Sequence, residues 1–135
     1  MKNTVSQAKS LTEINTWYDA GELRWAARHW SVRIGVKTPQ IHLRPMRTKW
    51  ASISTSGRMT LNADLLDLPK ELGEFVIVHE LVHLLVPNHG RVFKSFMYAY
   101  MPDWETRERR LQAHTSETTK KLGKSLNIRK IHTSS

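Results

Sequence analysis

Apolar positions along the chain change period twice. Leu11, Ile14, Trp17, Tyr18, Trp25 and Ala26 recur at helical spacing behind Ser10-Leu11-Thr12-Glu13, which has the form of a capping box. Gly21 interrupts that run, so it reads as one long helix or two short ones, with Gly35 as the stop. The period then shortens to two. Gln40-Ile41-His42-Leu43-Arg44 alternates as a half-buried strand does; Lys49 to Thr55 is a second strand candidate and Arg58 to Asn62 a third. Ser56-Gly57 predicts that the last two form a hairpin. Asn62 is placed to cap a short helix over Ala63 to Asp67. Pro69 suits the first turn of a helix running to about Leu85 or Val86, because Pro87 disfavours helical geometry at the residue before it. Asn88 predicts an N-cap for a helix over roughly His89 to Met101, with Val92, Phe93, Phe96, Met97 and Tyr100 on its core face. Pro102-Asp103 interrupts again, and Asp103 caps a last helix from Trp104 to about Thr115.

A helix, three short strands and then further helices predict an α+β domain with segregated elements. Residues 1–117 are expected to form one domain. Residues 118–135 carry Lys120, Lys121, Lys124, Arg129 and Lys130 with few apolar anchors and read as a basic, flexible tail. Hydrophobic content of 39% and a mean hydropathy of -0.49 indicate a soluble protein. No apolar run approaches bilayer-spanning length, and no apolar leader core is visible, so a cytoplasmic location without a membrane partner is expected. The sequence has no cysteine, which excludes disulfides and thiolate ligands. A net charge of +9 fits attraction to nucleic acid or acidic surfaces, although many soluble domains carry such charge without a polyanionic partner.

Within the central helix the polar pattern narrows to one feature. Between Phe75 and Val86 the only polar side chains are His79, Glu80 and His83, which form HExxH. At about 100° per residue they occupy one sector of roughly 100° on a helix otherwise apolar all round. Both imidazoles, four residues apart, can reach one ion, and Glu80 can reach a water on that ion without ligating it. A catalytic zinc takes three protein ligands and keeps one position open. His89 lies six residues beyond His83, past the stop at Pro87, and is the preferred third ligand; Glu105 and Glu108 are downstream alternatives. The expected chemistry is metal-assisted peptide hydrolysis with Glu80 as general base. A peptide substrate would pair along an exposed strand, either Lys49 to Thr55 or Arg58 to Asn62. Tyr98 or Tyr100 is a candidate oxyanion donor, and His114, behind Arg107 and Arg110, reads as a surface residue.

These residues resemble the YgjP-like metallopeptidases, a group of small zincins similar to the SprT-like proteases and to the minimal gluzincins. The likeness spans roughly residues 23–112. It rests on Arg47-Thr48-Lys49-Trp50 with Ala51-Ser52-Ile53-Ser54, Leu61-Asn62, Val78 to Leu84, Asn88-His89 with Phe93, and Tyr100-Met101-Pro102-Asp103-Trp104. The resemblance implies a minimal zincin-like domain, one Zn2+ held by His79, His83 and His89, and a catalytic Glu80. The family usually reads RWGSC where this chain reads KWASI, with Ala51 for a glycine and Ile53 for a cysteine. The departures fall at Trp50, Ala51, Ser52 and Ile53, the candidate substrate-binding residues, and so bear on preference rather than on the metal site. Two other readings fit the sequence: a nucleic-acid-associated zincin acting, like SprT-like proteases, on DNA-bound proteins, and a non-catalytic metal-binding interaction domain.

Overall fold

The computed structural model describes the backbone of residues 15–122 and the side chains as far as His114. Among these residues four α-helices and a three-stranded sheet make up an α+β arrangement. Helix α1 spans Ala20–Ile34. Strands β1 (Gln40–Arg44), β2 (Ala51–Ile53) and β3 (Arg58–Asn62) follow, then a 3-10 turn over Ala63–Asp67. Helices α2 (Lys70–Val82), α3 (Arg91–Tyr100) and α4 (Trp104–Leu122) complete the described chain.

The sheet order is β1-β3-β2. The predicted hairpin is present: β2 pairs antiparallel with β3, Ser52 opposite Thr60. Its turn closes at Gly57, whose φ of 103° lies in the left-handed region that side chains avoid. β1 pairs parallel to β3 on the other side, so β3 is central and β2 is an edge. Asn62 caps the 3-10 turn as expected, its Oδ1 accepting from the Asp64 N–H. Its Nδ2 also donates to the carbonyls of Met46 and Lys49 at 2.9 Å each, which ties the loop before β2 to the end of β3.

Helix α2 is the centre of the domain. Every residue from Phe75 to Val82 is buried, as a helix apolar on nearly all sides requires. It packs against α1, α3, α4 and β2. The segment before α1 is stapled to its start: Lys70 N–H donates to the Asn15 carbonyl, Asn15 Nδ2 donates to Glu71, and the Trp17 indole lies over Gly73.

Strand β2 is shorter than the expected Lys49 to Thr55, and one boundary of each helix departs from the sequence expectation. Helix α1 starts at Ala20, so Trp17 and Tyr18 precede it; the expected cap at Ser10 to Glu13 lies outside the described residues. Asp19 caps it by accepting from Glu22 N–H, and Glu22 reaches back to Tyr18 N–H, a reciprocal cap that ends the helix where the apolar spacing ran on. The face turned to the core is Leu23, Ala26, Ala27, Trp30 and Ile34, leaving Tyr18 and Trp25 exposed. Helix α2 ends at Val82 rather than near Val86, because the chain tightens: Leu84 and Leu85 N–H donate three residues back, to Leu81 and Val82. Helix α3 begins at Arg91, two residues past His89, with Asn88 Oδ1 accepting from Gly90 N–H in the preceding turn. Helix α4 runs to Leu122 rather than Thr115; no glycine or proline interrupts the sequence from Trp104 until Gly123.

Candidate metal centre

His79 and His83 stand one turn apart on the buried face of α2, and the tightened turn and Pro87 bring His89 back over them. The ligand nitrogens of the three histidines lie within 4.8 Å of one another, and His83 Nε2 is 2.9 Å from His89 Nε2. Nitrogens sharing a tetrahedral zinc ion stand about 3.3 Å apart, so the observed separations bracket what one ion requires. Neither Glu105 nor Glu108 belongs to this group among the described residues.

Local contacts set the imidazoles' roles. His83 Nδ1–H donates to the Val86 carbonyl at 3.2 Å, which leaves Nε2 with its lone pair toward the cluster. Burial, and next the His79 charge, push the His83 imidazolium down to a pKa of about 4, so this ring is neutral and able to ligate at pH 7. His79 Nδ1 lies 3.3 Å from Glu80 Oε2. Phe93, on α3, meets all three rings, with centroids 5.3, 4.8 and 4.8 Å from His79, His83 and His89. Nothing in the helical spacing distinguished Phe93 from an ordinary core residue; its place with Asn88-His89 in the family resemblance was the available signal.

Glu80 is fully buried, and burial raises its carboxyl to about 7 against the opposing charges of His83 and Lys49. Its Oε1 has no hydrogen-bond partner among the described residues. A buried carboxylate oxygen left unsatisfied is costly. Three imidazoles beside it are a donor set suited to a divalent metal ion.

The remaining candidates separate. Trp50 and Ala51 are buried in the core, whereas Ser52 and Ile53 are half-exposed on edge strand β2, which packs against α2. With β3 paired on both sides, Lys49 to Thr55 contains an edge strand of the sheet among the described residues and Arg58 to Asn62 does not. Tyr100 hydroxyl donates to the Ile34 carbonyl on α1, and Tyr98 packs on Trp104 and bonds Glu105; neither joins the histidines. His114 is half-buried on α4 and outside the cluster. A cavity of about 340 Å³ adjoins the centre, lined by His79, His89, Phe93, Lys94, Trp104, Glu105 and Glu108. Sequence reasoning weighed Glu105 and Glu108 only as ligands; that α4 would lay them along a cavity wall depends on tertiary packing.

Two solved structures share this fold. The chain is 22% identical to the metallopeptidase zymogen abylysin of Pyrococcus abyssi, with a TM-score of 0.61 over 78% of this chain and 99% of that one. It is 22% identical to the metallopeptidase zymogen jannalysin of Methanocaldococcus jannaschii, with a TM-score of 0.62 over 68% of this chain and 95% of that one. No curated protein matches at a significant level. No helix among the described residues is long and apolar enough to cross a membrane. Residues 1–114 match the model of the YgjP-like metallopeptidase domain, and the chain belongs to that family.

Proposed function

We propose that this protein is a zinc-dependent peptidase in which His79, His83 and His89 hold one ion and Glu80 is the general base. The observation that carries the reading is the convergence of three imidazoles beside a buried carboxylate with an oxygen unpartnered among the described residues. Three protein donors leave a place for water or substrate, which a closed structural site would not. Bound there, the ion supplies Lewis acidity toward water and toward a peptide carbonyl. Glu80 takes the proton of the attacking water on its carboxylate and returns it to the departing amine nitrogen. Its burial raises its proton affinity toward neutrality, which suits a group that must both accept and release a proton.

The substrate strand pairs along β2, with Ser52 and Ile53 beside it and Trp50 and Ala51 supporting the strand from the core. The neighbouring cavity takes one substrate side chain, between the rings of Phe93 and Trp104. Glu80→Gln tests the reading. The variant should retain the metal content of wild type and lose hydrolysis of an unfolded protein. Equal hydrolysis by both proteins would end the peptidase assignment and favour a metal-binding interaction domain.

A further inference from the structure

Between Glu22 and Asp64 the chain carries eight lysines and arginines and no aspartate or glutamate. This span builds α1 and the whole sheet. Among the described residues, ion pairs engage Lys70, His79, Arg107 and Arg110, none of them within it. Lys49 acts on Glu80, whereas Arg28 and Arg33, on α1, are exposed.

On α1 these charges meet exposed rings. Trp25, Arg28, His29 and Val32 follow one another at helical spacing on the side turned away from the core, and all four are exposed. Trp25 keeps 58% of its surface accessible, although indole is among the side chains that gain most from burial. Its ring stacks on His29 with centroids 5.2 Å apart and planes at 15°. Arg33 sits beside this platform, over Trp30 at 5.1 Å. A shallow recess of about 420 Å³ is lined by Trp25, Arg28, His29, Val32 and Arg33.

We propose that the outer face of α1 binds single-stranded nucleic acid. A base stacks on the Trp25–His29 platform while Arg28 and Arg33 take neighbouring phosphates. Stacking tolerates any base, and phosphate neutralisation supplies the affinity, so the surface reads strand form rather than sequence. A duplex hides its base faces and offers nothing to the indole. An anionic membrane would use the arginines, but Trp25 and Val32 are too small an apolar sector for insertion. A second copy of the chain brings +9 against +9. The proposal does not rest on the peptidase reading, since it uses no residue of the histidine cluster.

The test is fluorescence anisotropy of the full chain with labelled oligo(dT) and oligo(U) and a duplex of equal length, across a salt series. The single strands should bind more tightly than the duplex. Trp25→Ala should weaken binding about tenfold or more, and Trp25→Phe should restore most of it. Arg28→Gln with Arg33→Gln should flatten the dependence of log affinity on log salt by about 1.4, two phosphates at roughly 0.7 each. Arg109→Gln, an exposed arginine on α4, should change little. Thermal melts of the variants, all at exposed positions, establish that each is folded. No binding of either oligonucleotide at low salt overturns the proposal. So does a loss in Arg109→Gln equal to that in the α1 variants, which would mean diffuse attraction. Trp25-dependent binding to phosphatidylserine vesicles without oligonucleotide binding, or Trp25-dependent self-association, reassigns the face and equally overturns it.

Discussion

His83 and His89 meet Nε2 to Nε2 at 2.9 Å, although six residues and a helix end separate them. The contact depends on how α2 stops. His83 is its C-cap, its ring is fixed by the Val86 carbonyl, and Pro87 turns the chain so that His89 faces back. His89 itself lies before α3, free of that helix's rotation.

His89→Ala should therefore remove a donor that no neighbouring group replaces, lowering zinc affinity more than a hundredfold. Competition against a chromophoric chelator measures it. Stoichiometric, tightly held zinc in this variant would instead make the cavity carboxylates Glu105 and Glu108 the candidates for third ligand.

Stability of the metal-free chain should depend on pH through two buried groups acting in opposite directions. The folded state holds a proton on Glu80 up to about pH 7, whereas an exposed carboxyl releases it near 4.5. That contribution is complete below pH 4.5 and is lost as pH rises toward 7. The folded state refuses a proton on His83 down to about pH 4, whereas an exposed imidazole takes one near 6.5. That contribution is complete above pH 6.5 and is lost as pH falls toward 4. Between pH 4.5 and 6.5 the two slopes oppose, and these groups leave wild type nearly flat. Glu80→Gln removes one of them, so its stability should climb with pH across that window, by on the order of 3 kcal/mol. Urea titrations in chelator at several pH values distinguish the two shapes; parallel profiles for variant and wild type would count against the burial of a titrating Glu80.

The strands, the hairpin turn, the Asn62 cap and the HExxH sector were legible because each is a local pattern. The polar stripe of α2 needed only helical spacing, and burial on every other side follows from its apolar residues. The helix that carries Trp25 and Ala26 starts at Ala20, beside the interruption expected at Gly21, because Asp19 and Glu22 cap it there. Asp19-Ala20-Gly21-Glu22 also has the spacing of a capping box, and the apolar run through Trp17, Tyr18 and Trp25 concealed it. Trp25 shares that apolar spacing and yet is exposed. The roles of Phe93, the Val86 carbonyl and the edge strand β2 arise from how elements meet, which no spacing rule encodes.

Trp17 and Gly73 pack so closely that a Cβ on Gly73 would stand 2.7 Å from Trp17 Nε1. Glycine in a helix interior ordinarily costs about 1 kcal/mol relative to alanine. Here Gly73→Ala should destabilise, by about 1–2 kcal/mol, since displacing the buried indole outweighs the gain in helix propensity. In a Trp17→Ala background the obstacle is gone, and the same substitution should stabilise by up to about 1 kcal/mol. The double-mutant cycle reads this change of sign; destabilisation in both backgrounds would place the cause outside the Trp17 contact.

Asn62 links the sheet to the approach of the candidate substrate strand. Its side chain makes three hydrogen bonds at 2.9 Å: two from Nδ2 to the carbonyls of Met46 and Lys49, and one accepted by Oδ1 from Asp64 N–H. Its own N–H donates to the Trp50 carbonyl, so one residue fixes both ends of the segment that leads into β2. The residue is buried, and few waters can stand in for the lost partners. Asn62→Ala should cost about 2–4 kcal/mol. Asn62→Asp keeps the acceptor for Asp64 but turns a carboxylate toward two carbonyl oxygens, and should cost at least as much. Because β2 is held at this point, hydrogen exchange of the Ala51 to Ile53 amides should quicken in Asn62→Ala more than exchange of the α2 amides. A uniform increase across both elements would mean that Asn62 stabilises the domain as a whole and does not specifically hold β2.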